Sequence, residues 1–309
     1  MSMRDRVKRQ ALCLAAGMLA GVAAMAADAG IVEGAPVALD ESGFALKLPA
    51  NDAVVYRGLV NYDKAGGPAG AFLYPVGTAG LAGLLVGIAT HGTLVEAGKN
   101  SEKTRLQNEA DKVLTPFRPV LDGMTHRILM GEGLQRLGVP AKARVIDANE
   151  SADGWIVESL PVFSMTQDRG ALVLENALLV YAASDPSNPR YRNVVKVVSN
   201  LHDDADLESH WGADEGKRLK EESERLFGHS IRLLMQALQA RPSDQTQVEK
   251  TFRYIEGKEQ RMERAQLVRE NCGRAVIKTL RGWLMSVPLR QSAPPPQSPE
   301  CSGEMAYPA

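Results

Sequence analysis

Aromatic side chains are scarce in this chain, at 5% of residues, and its three tryptophans, Trp155, Trp211 and Trp283, are widely separated. No cluster of rings is available in sequence to stack bases or sugars on one face. Basic charge is not in excess either, with 36 Lys and Arg against 37 Asp and Glu. Phosphate backbones require a basic footprint, so no nucleic-acid partner is expected. Familiar catalytic motifs are also missing. The sequence contains no Gly-x-Ser-x-Gly elbow and no phosphate-cradling loop, and Gly131-Glu132-Gly133 is followed three residues later by Arg136 rather than glycine. Asp122 and Glu132 are carboxylates without any sequence feature that pairs them in a cleft. No cofactor and no enzymatic activity are expected from these residues.

Cysteine is rare as well, with only Cys13, Cys272 and Cys301 among 309 residues. Cys13 lies in an amino-terminal stretch that reads as an export signal. The basic residues Arg4, Arg6, Lys8 and Arg9 precede the apolar stretch 11–23, and Ala24-Met25-Ala26 has the small-x-small pattern of a cleavage site. Cleavage after Ala26 leaves 32 basic residues against 36 acidic ones, a net charge of −4. In an exported chain the remaining Cys272 and Cys301 are a possible disulfide, tying the proline-rich tail to the last strand region. Two free thiols fit the same residues, because sequence does not reveal geometry.

What the chain does possess is a long uncharged run. From residue 65 to 95 there are 31 residues without a formal charge, and eight are glycine. Glycine costs about 1 kcal/mol in a water-exposed helix, so the run is a poor soluble helix. It is long enough to cross a hydrocarbon layer of roughly 30 Å. Ala79, Gly83 and Gly87 recur every fourth residue and form a stripe through which two membrane helices could approach closely. The expectation is membrane association and self-association through that stripe. A competing reading buries the run as a hairpin or loop in a soluble domain, since Gly66-Gly67-Pro68 and Pro75 punctuate its first half. If the run did cross, Cys272 and Cys301 would lie in a reducing space. The disulfide and the crossing therefore exclude each other, unless the run inserts without traversing or binds from the periplasmic side.

Five regions follow: a signal peptide (1–26), a small β segment (27–64), the membrane-associated glycine-rich segment (65–95), an α+β domain (96–288) and a disordered proline-rich tail (289–309). In the β segment, strands are expected over 31–32, 44–48 and 53–56. Helices are expected over 102–114, ending before Pro116, and over 119–137. Valine- and leucine-rich stretches at 143–146, 155–159, 171–181 and 192–199 suggest an antiparallel meander. Leu219, Leu226, Phe227, Ile231, Leu234 and Leu238 recur at three and four and mark a long helix over 214–240. A hairpin of 251–255 with 262–269 through Gly257, or in place of its second strand a short solvated helix over 258–270, and then a strand over 275–287, completes the pattern. The fold expected is α+β, an antiparallel sheet with helices packed on it, plus the apolar helix near the amino terminus.

The densest polar cluster runs from His202 to Trp211 and carries two imidazoles and four carboxylates before a helix. Those groups are potential nitrogen and oxygen ligands. Their spacing matches no standard metal site, and acids ahead of a helix favour its positive end, so no metal is assigned. Taken together, the residues suggest a non-enzymatic, exported, membrane-associated envelope protein with a structural or assembly role. A homo-oligomer and contacts with other envelope proteins are expected. The alternative is a soluble periplasmic binding module with the apolar run buried in its fold, and a hydrolase is a more distant third.

Overall fold

Long stretches of valine, leucine and isoleucine dictate the centre of the molecule. The computed structural model describes Leu39 and residues 43–60, 97–137, 143–240 and 248–289. Strands β4 (Trp155–Met165), β5 (Leu172–Ala182) and β6 (Tyr191–Val198) form the expected antiparallel meander. Nearly every residue of β5 is buried, because both faces of the sheet are covered there. Around this meander stand β1 (Phe44–Lys47), β2 (Val55–Gly58), β3 (Arg144–Ile146), β7 (Glu249–Glu256), β8 (Glu259–Asn271), β9 (Arg274–Thr279) and β10 (Leu284–Pro288). Their order is β3-β1-β4-β5-β6-β10-β9-β8-β7, with β2 also paired to β4.

The ten-stranded sheet is mixed rather than purely antiparallel, which corrects the expectation. β1 and β2 run parallel to β4, β3 runs parallel to β1, and β10 runs parallel to β6. Parallel neighbours need a long crossover, and helices lie between the partners in each main case. The strands near the amino terminus are thus part of the main sheet. Proline in an interior strand is explained by the same layout. β1 covers residues Trp155 to Glu158 of one β4 edge and β2 covers Val162 to Met165. Pro161, which has no N–H to donate, sits in the gap between them.

Three helices cover one face: α1 (Ala97–Ala110), α2 (His126–Leu137) and α3 (Leu207–Gln239). Between α1 and α2 the chain forms a 3-10 segment, Asp111–Phe117, that contains Pro116, then a single turn, Arg118–Leu121. The continuous helix expected over 119–137 is therefore broken, because Thr125 pairs with Ala53 and the Val54 amide donates to the Met124 carbonyl. A second correction concerns 275–287, which is two strands joined by a turn at Gly282, where φ is 81°. β7 and β8 do form a hairpin, with a tight connection at Gly257 and Lys258.

The main core lies between the helices and the sheet. Leu219, Leu226, Phe227, Ile231, Leu234 and Leu238 of α3 are all buried in it, as the periodicity predicts. Each such side chain contributes about 1.5–3 kcal/mol relative to exposure. Two polar pairs lie under the helix: Tyr56 donates to Ser223 Oγ at 2.9 Å, and Asn176 donates to Ser230 Oγ at 2.9 Å. On the opposite face, Phe252, Tyr254, Ala265, Ile277 and Val287 form a separate core, where the last four strands curl and Tyr254 bridges to Leu289. Trp155 borders the main core, Trp283 borders a small cluster on the opposite face, and Trp211 is fully buried.

Glycine sets the distance between α2 and α3. A Cβ at Gly228 would lie 2.8 Å from the Gly133 carbonyl oxygen, and one at Gly133 would lie 2.6 Å from the Phe227 ring. Gly131, two residues away on α2, faces open space. The two α2 positions should therefore respond with opposite sign. Gly133→Ala is expected to destabilise by about 1–3 kcal/mol through overpacking. Gly131→Ala is expected to stabilise by up to about 1 kcal/mol through helix propensity. Urea denaturation of both variants checks this, and equal effects would contradict the helix contact.

Candidate functional site

The polar cluster at 202–211 folds into a corner between the sheet and the start of α3. Asp206 caps the helix, its carboxylate accepting from the amides of Glu208 and Ser209 and from the Ser209 hydroxyl. The acids do favour a helix amino terminus, but that helix starts at Leu207, ahead of the position expected. Its first turns are then interrupted. Ala213 is extended, and Asp214, Glu215 and Gly216 adopt left-handed angles, with φ of 51°, 56° and 71°. Two non-glycine residues in that region cost about 1–2 kcal/mol each. Gly216 is required there for a second reason: a Cβ would meet the Val120 side chain at 2.4 Å.

Arg218, beyond the interruption, meets His210 ahead of it, while Asp204 and His202 reach His210 from the connection before the helix. His210 Nδ1 lies 3.0 Å from Asp204 Oδ2 and 3.1 Å from the Arg218 guanidinium. The His202 and His210 rings are 4.7 Å apart, and each meets the Trp211 indole, at 4.6 and 4.7 Å between centroids. One ligand atom from each of His202, Asp204 and His210 falls within 4.8 Å of the other two. Trp211 is held in place by donating its indole N–H to the Arg169 carbonyl at 2.8 Å. Burial lowers the His202 pKa; nearby Glu222 and Asp204 oppose it, His210 and Arg225 reinforce it, and the net result is below the usual imidazole range.

Beside this corner is an open cleft of about 660 Å³, lined by Asp204, Lys112, Gln167, Asp168, Arg169 and Lys258. The sequence reading missed Asp168 and Arg169, because β4 was expected to end at Ser159 and the turn after it carried no motif. Arg169 has a left-handed φ of 58°, pairs with Glu208 at 2.7 Å and stands over the Phe117 ring. Asp168 ties the β4–β5 turn to the β7–β8 hairpin by accepting from Thr166 Oγ1 and from the amides of Gly170 and Lys258. Burial alone would raise its pKa. The hydrogen bonds from Thr166, Gly170 and Lys258, together with the Lys258 charge, outweigh that and hold the carboxyl below its usual range.

A second polar cluster lies beneath α3. His229 Nε2 is 3.0 Å from Ser286 Oγ, and Arg274 donates to the carbonyls of Val198 and Ser286 and to Asn200 Oδ1. Burial, reinforced by the charges of Arg274, Arg232, Arg225 and Arg269, keeps the His229 pKa well below that of a free imidazole. The adjoining cavity measures about 20 Å³, room for about one water. Those contacts hold β9 and β10 to the helix and leave no space for a substrate.

Other residues singled out in the sequence are not gathered at either site. Asp122 is exposed in the turn before α2, and Glu132 is exposed on that helix. Ala79, Gly83, Gly87, Cys301 and the tail from 290 onward lie outside the described residues. Cys272, in the β8–β9 turn with φ of 52°, is disulfide-bonded to a partner outside the described residues. No helix among the described residues is long and apolar enough to cross a membrane. Comparison with known proteins returns no match, whether to family models, curated proteins or solved structures.

Asp168 yields a pH prediction. Its folded pKa is depressed, so the stability that its ionisation contributes is present above the unfolded pKa of about 3.9 and is lost as pH falls through the folded value. Asp168→Asn should therefore melt below wild type at neutral pH, with the gap closing on acidification. Thermal melts across the acid limb test this; a gap that stayed constant would refute the assignment.

Proposed function

We propose that this chain is an exported, membrane-associated protein of the cell envelope, with a structural or assembly role rather than a catalytic one. The observation that carries the reading is the oxidised Cys272 in a chain that begins with an export-type sequence. Disulfides persist in oxidising envelope compartments and are rare in the cytosol. An oxidised Cys272 also favours one topology, in which the α+β domain stays on the outer side. The run 65–95 then inserts without traversing, or associates from the periplasm. Self-association would use Ala79, Gly83 and Gly87, and the domain would be displayed to other envelope proteins.

A second reading is a soluble periplasmic binding module with the apolar run buried in its own fold. The open cleft beside His202, Asp204 and His210 favours it, since ligand sites are concave with a few convergent polar groups. Fractionation separates the two. Under the first reading the mature protein needs detergent for release, and Gly83→Cys or Gly87→Cys variants crosslink to homodimers. Release by osmotic shock without detergent would contradict it and favour the binding module.

A further inference from the structure

We infer that His202, Asp204 and His210 form a binding site for a divalent first-row transition metal of the Zn²⁺ or Co²⁺ kind. Two imidazole nitrogens and one carboxylate oxygen are the donor set such ions take, and three protein ligands leave a position open to solvent. Asp204 also lines the cleft, so the carboxylate ligand borders open solvent. Zinc binds these donors at about 2.0–2.2 Å, which puts neighbouring ligand atoms roughly 3–3.5 Å apart. The 3.0 Å between Asp204 Oδ2 and His210 Nδ1 is at the short end of that spacing. The His202 nitrogen, within 4.8 Å, joins them by a reorientation of its ring.

An ordinary ion pair accounts less well for His210. Its Nδ1 faces a carboxylate, which calls for a proton on that nitrogen, and also a guanidinium N–H, which calls for its lone pair. One nitrogen does not supply both. A cation between Nδ1 and Asp204, with the exposed Arg218 side chain turned to solvent, satisfies the imidazole and the carboxylate together. Support from the surrounding residues is already in place. The Trp211 indole, fixed by the Arg169 carbonyl and buried, packs against both imidazole rings in T-shaped contacts. Metal sites depend on such orienting contacts nearly as much as on their ligands.

The site stands independently of where the chain resides, and its test uses the full-length protein stripped of metal. Co²⁺ is titrated by its d–d absorption, Zn²⁺ by competition with a chromophoric chelator, and thermal midpoints are recorded with and without Zn²⁺. The expected result is one equivalent per chain and a higher midpoint with zinc, because a ligand that binds the folded state stabilises it. Mutating an outer partner costs about 10–100-fold in affinity, so losing both imidazoles in His202→Ala, His210→Ala should cost at least about 100-fold. Asp204→Asn, a shape-conserving change at a half-exposed side chain, should weaken binding without lowering the metal-free midpoint. Arg218→Gln should tighten binding, since it removes the cation that competes for Nδ1. Failure of the wild type to take up either ion at micromolar concentration would overturn the site. So would uptake by the double variant equal to that of wild type.

Discussion

Everything described in this molecule depends on one long helix lying close enough to the sheet and to a second helix to exclude water. Gly133 and Gly228 allow that approach on the α2 side, where added methyl groups would collide with backbone and ring atoms. On the sheet side the apolar face of α3 covers β5 and β6, and the buried pairs Tyr56–Ser223 and Asn176–Ser230 hold it in register. Six or so buried apolar side chains, at about 1.5–3 kcal/mol each, outweigh the few kcal/mol of left-handed backbone near the start of the helix.

That unfavourable stretch has a structural consequence. Without the turn through Asp214, Glu215 and Gly216, the first part of α3 would continue straight and Arg218 would not reach His210. Ahead of it, Trp211 is buried under the β4–β5 turn and the two imidazoles stand beside each other, next to Asp204 at the edge of a cleft. Backbone held in sparsely populated regions tends to occur where a site needs an unusual approach of side chains.

Much of the frame was legible in the sequence. The α3 core positions follow from their spacing of three and four, and the meander from its valine-rich stretches between turn clusters. What escaped were features set by distant partners. Whether β1 and β2 lie parallel to β4 depends on crossovers that no local pattern encodes. Residues 160–165 fell outside the strand expected over 155–159, and only the gap between β1 and β2 makes Pro161 tolerable within β4. The turn at Gly282 hid inside an apolar stretch. At the polar corner the residues were visible but their meeting was not, because His202 and His210, eight apart, meet across a loop and the Asp206-capped first turn of α3, which no local pattern encodes. Asp168 and Arg169 were missed altogether, since their partners are a hairpin 90 positions later and a helix 39 positions later.

The packing makes α3 and the β4–β6 meander one cooperative unit on which the polar corner is mounted. Native-state amide hydrogen exchange tests it most directly, since cooperative units open together at a common free energy. The amides of Leu226 to Leu234 should share the highest protection with those of Leu174 to Val180. Exchange of the helix at a much lower free energy than the sheet would contradict the account and detach the corner from its support.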